Sequence, residues 1–440
     1  MSLTHSQHTL RDKIALALDL ARQAGATAEV GVYQDHGMVA SVRQGEVDTF
    51  ELTRNHGFSV TVYQGQRKGH ASSTDFSADA IRQTVQAAID IAHFTAADTC
   101  SGLADAALMA TAIPDLDLYH PRTLTPEHAI ALAQACEAAG LSQPSICNSD
   151  GATIASVESM RGYGNSHGLI VAYPQTRHAV SCALIAKQGD KMERGGWSFS
   201  HRKADCLPTV ESVGRKAAER ASRRLGSRTV PTANVPVLFA AEIAGGLLGH
   251  LISAISGGSL YRHASFLEGA LGQTIMPTWL SVSEQPRLPC AIGSAPVDGD
   301  GLPTRDKAFV DNGVLQSYVL GTYSGRKLGL PSTANAGGVR NLRCTVSHDY
   351  ADLLRQMDRG LLVTDVMGQG VNIVSGHYSR GAAGFWVENG EIQFPVSEIT
   401  IAGNLKDMLA NIAGIGNDVD VRGNIQTGSI LLEQMTVGGK

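Results

Sequence analysis

The chain has 440 residues, of which 43% are hydrophobic, and a formal net charge of -5. A chain of this length and composition can bury substantial hydrophobic cores, which predicts a globular protein with two or more domains. The charge is small and scattered without long runs of one sign, which argues against nucleic acid or an anionic membrane surface as the main partner.

Cysteine usage and the N-terminal sequence indicate a reducing compartment. The seven cysteines are widely spaced and form no CxxC pair, so reduced thiols are favoured over a disulfide framework. The first 25 residues lack the basic start, continuous apolar core and small-residue cleavage site of a secretory signal. We therefore expect a cytoplasmic protein.

The first half of the chain changes repeatedly between helical and strand-like periods. Apolar spacing and capping residues predict helices over residues 9–24, 77–93, 125–139 and 208–225. Between them apolar and polar residues alternate, which predicts antiparallel strands, with turns at Gln44-Gly45, His56-Gly57 and Gln64-Gly65. The segment 95–126 has no sustained period and is expected to be an irregular crossover.

These elements predict an α+β chain with an N-terminal helix-and-antiparallel-sheet region. The region spans residues 1–230 and contains two possible helix-sheet units, about 1–100 and 120–230. The stretch from Gly226 to Pro236 is rich in proline and threonine, which favours a linker at its end.

Residues 236–440 are predicted to form a β-rich C-terminal domain with one prominent helix. The pairs Asn312-Gly313 and Asn389-Gly390 are typical of type I′ hairpin turns. The helix follows the strand-like VPVLFA and contains Glu242 and His250. Because charged groups are rare inside membrane spans, a strand leading into a buried helix is favoured over a membrane segment.

The segment around His250 in this helix can be compared with helical zinc-binding motifs. Such sites place two histidines one turn apart, with a glutamate beside the first as general base. Here only His250 is present, and Ala254 stands four residues later. A catalytic zinc ion needs three protein ligands, so this helix alone does not predict a metal site.

Two other segments could carry chemistry but have simpler interpretations. Ser166 and His167 are adjacent in GNSHGL, and neighbouring strand residues point to opposite faces, so a turn is favoured over a catalytic pair. The glycines between Gly368 and Gly390 match no phosphate-binding motif and are expected to permit tight bends or close backbone approach. Such an approach also suits an extended peptide that pairs with a sheet edge.

Several segments resemble the TldD/PmbA metalloprotease family. They include RKGHASSTDFS, GNSHG, GGSLYRHASFL, YSGRKLGL, MGQGVNIVSGHYSRGAAGFWVENGEIQFPVSEITIAGNLKDML and GNDVDVRGNIQTGSILLEQM, and the resemblance runs over nearly the whole chain. It implies a two-subunit cytosolic zinc metalloprotease that acts on unfolded or extended peptides. Precursor maturation, antitoxin degradation and a gyrase-modulating phenotype are associated with the pair. The TldD-type subunit carries a helical HExxxH motif and a later cysteine as zinc ligands, and the second subunit lacks the motif.

Carried onto this sequence, the resemblance implies a chain without a catalytic site. The first histidine of the motif falls on Gly249, the glutamate on His250 and the second histidine on Ala254. The later cysteine falls, less securely, near Thr427. No catalytic residue, metal ligand or cofactor is therefore expected in this chain, and zinc is expected in the partner subunit.

Three functions remain open at this point. The favoured one is a non-catalytic partner of a TldD-type subunit, with unfolded peptide as substrate and no nucleic acid or membrane as partner. The second is a metalloprotease in its own right, as a homo-oligomer in which His250, His263 or Glu242 converge. The third is a non-proteolytic binding module for gyrase or a toxin. A homodimer in isolation is also expected to be possible, because a surface that pairs with a similar subunit can pair with itself.

Overall fold

The computed structural model describes residues 5–439. The described residues form nine α-helices: α1 (Gln7–Gln23), α2 (Ala78–Phe94), α3 (Pro126–Leu141), α4 (Val210–Ser222), α5 (Ala241–Ala254), α6 (Gly257–Tyr261), α7 (Thr322–Leu328), α8 (Tyr350–Met357) and α9 (Leu405–Ala410). The strands of the N-terminal half are β1 (Thr27–Arg43), β2 (Glu46–Gln64), β3 (Arg67–Ser73), β4 (Ile146–Asn165), β5 (Ile170–Gln188) and β6 (Lys191–His201). Those of the C-terminal half are β7 (Ala233–Phe239), β8 (Val282–Glu284), β9 (Lys307–Asp311), β10 (Val314–Leu315), β11 (Leu342–Cys344), β12 (Gly360–Met367), β13 (His377–Glu388), β14 (Glu391–Asn404), β15 (Ile412–Ile415), β16 (Ile425–Gln426) and β17 (Ile430–Gly438).

The N-terminal half is one antiparallel sheet of six long strands in the order β3-β2-β1-β4-β5-β6. Each half of this sheet has the same chain order, a helix, three strands and a helix, and the halves join where β1 pairs with β4. Helices α1 and α2 cover one half of a single face, and α3 and α4 cover the other half. The opposite face carries no helix and stays partly open.

The predicted N-terminal helices are confirmed to within a few residues, and the turn at Gln44-Gly45 has both residues in the left-handed region. The turn predicted at His56-Gly57 is wrong, because both residues lie inside β2. Gly57 pairs with Tyr33 of β1, and a Cβ atom at Gly57 would lie 2.4 Å from the Tyr33 ring. The glycine makes room for an aromatic ring on the neighbouring strand; it does not bend the chain.

The C-terminal half contains two sheets and the largest hydrophobic core. One sheet has the strand order β14-β13-β12-β7-β17-β15, and an additional β14–β17 pairing closes five of its strands into a barrel-like ring. The second has the order β10-β9-β8-β11-β16. Both Asn-Gly hairpins are confirmed, between β9 and β10 and between β13 and β14. Together with the N-terminal sheet, this architecture confirms the α+β fold class.

Helix α5 is the prominent helix of this half and packs into its core. Leu247, Leu248, Leu251 and Ala254 are all buried there. The strand β7 leads directly into α5, as VPVLFA predicts. Across residues 5–439, none of the helices combines the length and the apolar character that a membrane crossing needs.

Candidate functional site

The three positions that the resemblance assigns to the zinc motif lie on the last turns of α5. Ala254 is fully buried in the core. Gly249 is half-buried, and a Cβ atom there would meet open space. His250 is half-buried and places its ring edge-on against Tyr378, with 5.9 Å between the ring centres.

The environment of His250 keeps its imidazole neutral. Burial lowers the pKa of His250, and the positive charge of Arg380 lowers it further. A neutral imidazole can bind a metal ion, but Gly249 and Ala254 offer no ligand atom. The three positions that the resemblance assigns to the zinc motif therefore do not fit a zinc ion in this chain.

Thr427, the assumed position of the later cysteine, lies beside the beginning of α5. The Ala241 N–H donates to Ser429 Oγ at 3.0 Å, and the Gly245 position faces Ile425 at 3.5 Å, so residues 425–429 run along the first turns of the helix. Thr427 is buried and its hydroxyl accepts a hydrogen bond from Cys344 Sγ at 3.1 Å. These contacts of residues 425–429 are with Ala241 and Gly245, and Gly249 lies one turn further along α5.

The alternative ligands Glu242, His250 and His263 are not brought together. Glu242 is paired with Arg220, and the exposed His263 lies 2.5 Å from Glu268. Within residues 5–439, one group of three His, Cys, Asp or Glu side chains has converging ligand atoms, and it contains none of these residues. That group is Asp117, His120 and Cys290, which the sequence analysis did not single out.

A cleft of about 1010 Å³ lies between the N-terminal sheet and the C-terminal half. Its walls include residues 194–199 of β6, helix α4, the first turn of α5 and residues 418–422. Trp197 of β6 lies between two guanidinium groups, whose central carbons are 5.2 Å from its ring centre for Arg220 and 3.7 Å for Arg422. No local sequence pattern marks this cleft, because its walls come from distant segments of the chain.

Charges in the cleft are balanced by local pairing. Arg194 pairs with Asp150 at 2.5 Å, and Arg422 pairs with Asp420 at 2.7 Å. Arg220 pairs with Glu242 at the start of α5. A cleft with paired charges selects weakly between acidic and basic side chains, so it suits a ligand that is held mainly through its backbone.

The start of α5 is fixed from the same side. Ser429 Oγ accepts from the Ala241 N–H at 3.0 Å and donates to Asp418 Oδ2 at 2.6 Å, while the Ser429 N–H donates to Asp418 Oδ1 at 2.9 Å. This short chain of hydrogen bonds caps the helix in place of an N-cap side chain, since Ala240 at that position has none to offer. The first turn of α5, which lines the cleft, is therefore anchored to residues 418 and 429.

Ser166 and His167 form no catalytic pair. Both lie in the turn between β4 and β5, which confirms the turn interpretation. Ser166 Oγ accepts from the Ala28 N–H at 2.7 Å, and the His167 ring contacts the Ala104 carbonyl at 2.9 Å. The two side chains have separate structural partners.

Sequence models of one family match three consecutive parts of the chain. The PmbA/TldA metallopeptidase domain 1 matches residues 28–92, the central domain matches 119–225 and the C-terminal domain matches 232–439. The chain belongs to the PmbA/TldD metallopeptidase family. The three matches cover most of the chain, so both the open sheet and the C-terminal half are features of this family's domains.

Two relatives within the PmbA/TldD family match over nearly the full length. The chain is 46% identical over 440 residues to the metalloprotease PmbA homolog of Haemophilus influenzae, covering 99% of this chain and 98% of that protein. It is 46% identical over 433 residues to the metalloprotease PmbA of Escherichia coli O157:H7, covering 98% and 96%. These identities place the chain with PmbA inside the family and confirm the resemblance seen in the sequence.

Two solved structures share the fold of this PmbA-like chain. A Bacteroides thetaiotaomicron protein, named as a proposed modulator of DNA gyrase, has a TM-score of 0.92 at 26% identity and covers 98% of this chain and 99% of its own. TldE from Thermococcus kodakarensis has a TM-score of 0.80 at 19% identity and covers 98% and 100%. The second likeness concerns the fold alone.

Proposed function

We propose that this chain is the non-catalytic partner of a TldD-type zinc metalloprotease subunit, and that the pair cleaves unfolded or extended peptides in the cytoplasm. One observation carries the proposal: the chain matches its family over nearly its whole length, yet it has Gly249, His250 and Ala254 at the positions to which the resemblance assigns the two histidines and the glutamate of the motif. Zinc would then be held by the partner, and this chain would bind and orient the peptide.

The environment of α5 supports a structural role for the motif helix. Its buried face fills the C-terminal core, and its beginning is fixed by Ser429 and Asp418. Helix α5 keeps its packing in the core but has no metal-ligand atoms at Gly249 and Ala254. It would therefore preserve the shape of a protease subunit without its catalytic activity. We infer that this shape is retained because it forms the surface that the catalytic subunit meets.

The outer edge of β6 supports the peptide-binding part of the proposal. This strand is an edge of the six-stranded sheet and borders the cleft. Gly195 is buried against Ala221 of α4, whereas the Ser198 carbonyl further along the strand accepts from Arg422 Nη1 at 3.1 Å and shows that a donor can reach the β6 backbone. An extended peptide can pair with such an edge through main-chain hydrogen bonds, with little dependence on its sequence.

The deciding experiment measures hydrolysis of an unstructured peptide by this chain, by the TldD-type subunit and by their mixture, each with and without a chelator. We expect chelator-sensitive cleavage only in the mixture. Cleavage by this chain alone would contradict the proposal and make His250 the first residue to replace. Full activity of the TldD-type subunit alone on the same peptide would also contradict it.

A partner variant provides the matched control. Replacing the motif glutamate of the TldD-type subunit by glutamine should abolish cleavage by the mixture, whereas His250→Ala in this chain should leave it unchanged. The reverse pattern would place the catalytic chemistry in this chain. Formation of a stable complex with gyrase in the absence of the TldD-type subunit, without peptide cleavage by any mixture, would favour the non-proteolytic alternative.

We also propose that the chain forms a homodimer in isolation through the surface that binds its partner. The TldD-type subunit should then dissociate the homodimer as the heteromeric complex forms. Light scattering during the titration measures this exchange. A particle that contains both the homodimer and the TldD-type subunit would contradict the shared surface.

A further inference from the structure

Three side chains from distant parts of the chain meet where the N-terminal sheet contacts the C-terminal half. Asp117, His120 and Cys290 each offer one ligand atom, and these atoms all lie within 4.8 Å of one another. Asp117 and His120 belong to the irregular crossover between α2 and α3, and Cys290 lies in the loop between β8 and β9. The Cys290 N–H donates to the Leu116 carbonyl at 2.8 Å, so the two loops are joined directly beside the cluster.

A buried arginine fixes the loop that carries the cysteine. The Arg202 side chain donates through Nε to the Ala291 carbonyl at 2.9 Å and through Nη2 to the Ile292 carbonyl at 2.8 Å. Its Nη1 donates to the Thr176 carbonyl of β5 at 3.2 Å, and the residue is 4% exposed. The thiol of Cys290 is therefore held in place by the sheet, and little would have to move for a ligand to bind.

Asp117 and His120 are also held by neighbouring groups. The His120 backbone N–H donates to Thr176 Oγ1 at 3.0 Å, and the His120 ring nitrogen Nε2 lies 2.9 Å from the Asp117 carbonyl oxygen and 3.1 Å from Asp117 Oδ1. The second carboxylate oxygen, Asp117 Oδ2, lies 2.8 Å from Lys203 Nζ. The two oxygens thus have different neighbours, and Oδ1 is the one directed toward the histidine.

We propose that Asp117, His120 and Cys290 bind a divalent transition-metal ion of the zinc type and that this ion links the crossover segment to the C-terminal half. A thiolate, an imidazole and a carboxylate are the three common protein ligands of zinc. Magnesium and calcium prefer oxygen ligands alone, so this mixed donor set selects against them. Three protein ligands leave a fourth position for water. This site is separate from the zinc of the proposed partner and does not depend on that proposal.

Binding requires the Cys290 thiol to lose its proton to solvent, because the thiolate is the metal ligand. Lys203 opposes binding, since its ammonium group lies against the same carboxylate and repels a second cation. The arrangement therefore makes two opposite predictions. Removing a ligand should weaken binding, and removing Lys203 should strengthen it.

The experiment titrates the full chain, first freed of metal with a chelator, with Co²⁺, which occupies zinc sites and absorbs light when a thiolate binds it. We expect one equivalent of Co²⁺ to produce a thiolate-to-cobalt absorption band. Cys290→Ser should remove the band, and Asp117→Asn or His120→Ala should weaken Co²⁺ binding at least ~10-fold. Lys203→Met should tighten it.

A neighbouring thiol provides the control. Cys206 is exposed and close enough to affect Cys290 electrostatically, but it is not one of the three converging groups. Cys206→Ser should therefore leave the band intact. A natural chain without the band, a band that survives Cys290→Ser, or a band lost with Cys206→Ser would overturn the proposal. Circular dichroism of the metal-free variants checks that each is folded, and Lys203→Met tests the site without removing any ligand.

Discussion

The two halves of the molecule use polar side chains in opposite ways. In the N-terminal sheet, many polar groups lie on the face that no helix covers. An example is Asp35 of β1, which accepts from Ser159 Oγ of β4 at 2.6 Å and pairs with Arg161 of β4 at 2.8 Å; the Asp35 and Arg161 side chains remain partly accessible. Accessible groups of this kind keep their contact with water and can also contact a ligand.

In the C-terminal half, the carboxylates of Glu284 and Asp298 are buried and paired. Glu284 is 1% exposed, receives hydrogen bonds from Asn335 Nδ2 at 2.9 Å and from the Arg340 N–H at 2.6 Å, and pairs with Lys307 at 3.0 Å. Asp298 is 3% exposed and accepts from the backbone of Asp300, Leu302 and Ala336. These groups hold long loops in one conformation, because a buried polar atom without a partner is costly. In these examples the open sheet face leaves charged groups accessible to solvent, whereas the buried carboxylates hold loops of the C-terminal half in one conformation.

The largest effect is expected from Glu284→Ala. The change leaves the buried Lys307 ammonium without its counter-charge, and breaking such a pair typically costs about 3–5 kcal/mol of unfolding free energy. Urea unfolding followed by tryptophan fluorescence measures the loss, since Trp279 and Trp386 both report on the C-terminal core.

Asp35→Ala on the open sheet face is the matched control for Glu284→Ala. Asp35 also pairs with an arginine, Arg161, at 2.8 Å, but both side chains are partly exposed. Pairs of this kind are worth about 0–1 kcal/mol. Equal losses for the two variants would contradict the distinction between buried and open polar groups.

The second prediction concerns pH. Burial raises the pKa of Asp298 to about 6, and the nearby Asp300 carboxylate contributes to the rise. The unfolded chain has the ordinary value of about 3.9, so the folded chain binds more protons between the two values. The contribution of Asp298 to stability is therefore present at low pH and is lost as the pH rises from about 4 to about 6.

Asp298→Asn makes this effect measurable. The amide stays neutral, and the substitution adds a constant cost because its nitrogen cannot accept backbone hydrogen bonds. As the pH rises from about 4 to about 6, the unfolding free energy of the natural chain should fall by on the order of 2–3 kcal/mol relative to that of the variant. Asp98→Asn should show the opposite dependence at lower pH. A hydrogen bond from the Cys100 N–H, with Lys327 and Tyr323, lowers the pKa of Asp98 to about 2, so the natural chain should lose stability relative to this variant as the pH falls from about 4 to about 2. A gap between natural chain and Asp298→Asn that does not change with pH would contradict the prediction.

A smaller effect is expected from Gly57→Ala on the open face. The new methyl group meets the Tyr33 ring, but this ring is 42% exposed and can turn toward solvent. We expect a loss of about 1 kcal/mol, at the low end of overpacking costs, and no loss in a Tyr33→Ala background. Thermal unfolding of the four chains gives the double-mutant cycle.

Gly69→Ala tests the reason for that small loss. Its added methyl group would lie 1.8 Å from the Ala88 carbonyl of α2, which belongs to the backbone and has no rotamer to change. The loss should exceed that of Gly57→Ala. A smaller loss at Gly69 would mean that side-chain mobility does not explain the tolerance of the open face.

The smallest effect is expected from His250→Ala. If this chain contributes no catalytic group, the variant should change kcat/KM of the mixture with a TldD-type subunit by no more than about 2-fold, well below the 10²–10⁴-fold typical of an acid or base. A loss above about 10-fold, with the complex intact by size-exclusion chromatography, would assign a reactive role to the imidazole.

Local sequence signals accounted for much of the secondary structure. The caps at Ser77 and Thr125, and the Asn-Gly pairs of the two hairpins, act over a few residues, so their meaning is readable without the fold. The prediction of a turn at His56-Gly57 was wrong because the local sequence is the same whether the glycine bends the chain or makes room for an aromatic ring on the neighbouring strand. Only the pairing of Gly57 with Tyr33, 24 positions away in sequence, distinguishes the two cases.

The α+β class could be read from the spacing of apolar, glycine and capping residues, and the family resemblance and the residues at the motif positions from matching segments of sequence. The joining of the two halves of the N-terminal region through β1 and β4, and the closure of five C-terminal strands into a ring, became visible only in three dimensions. The tertiary structure also decided where the cleft lies and that Asp117, His120 and Cys290 meet. These arrangements depend on contacts between segments more than a hundred residues apart, whose pairing is set by packing of the whole chain and leaves no local pattern.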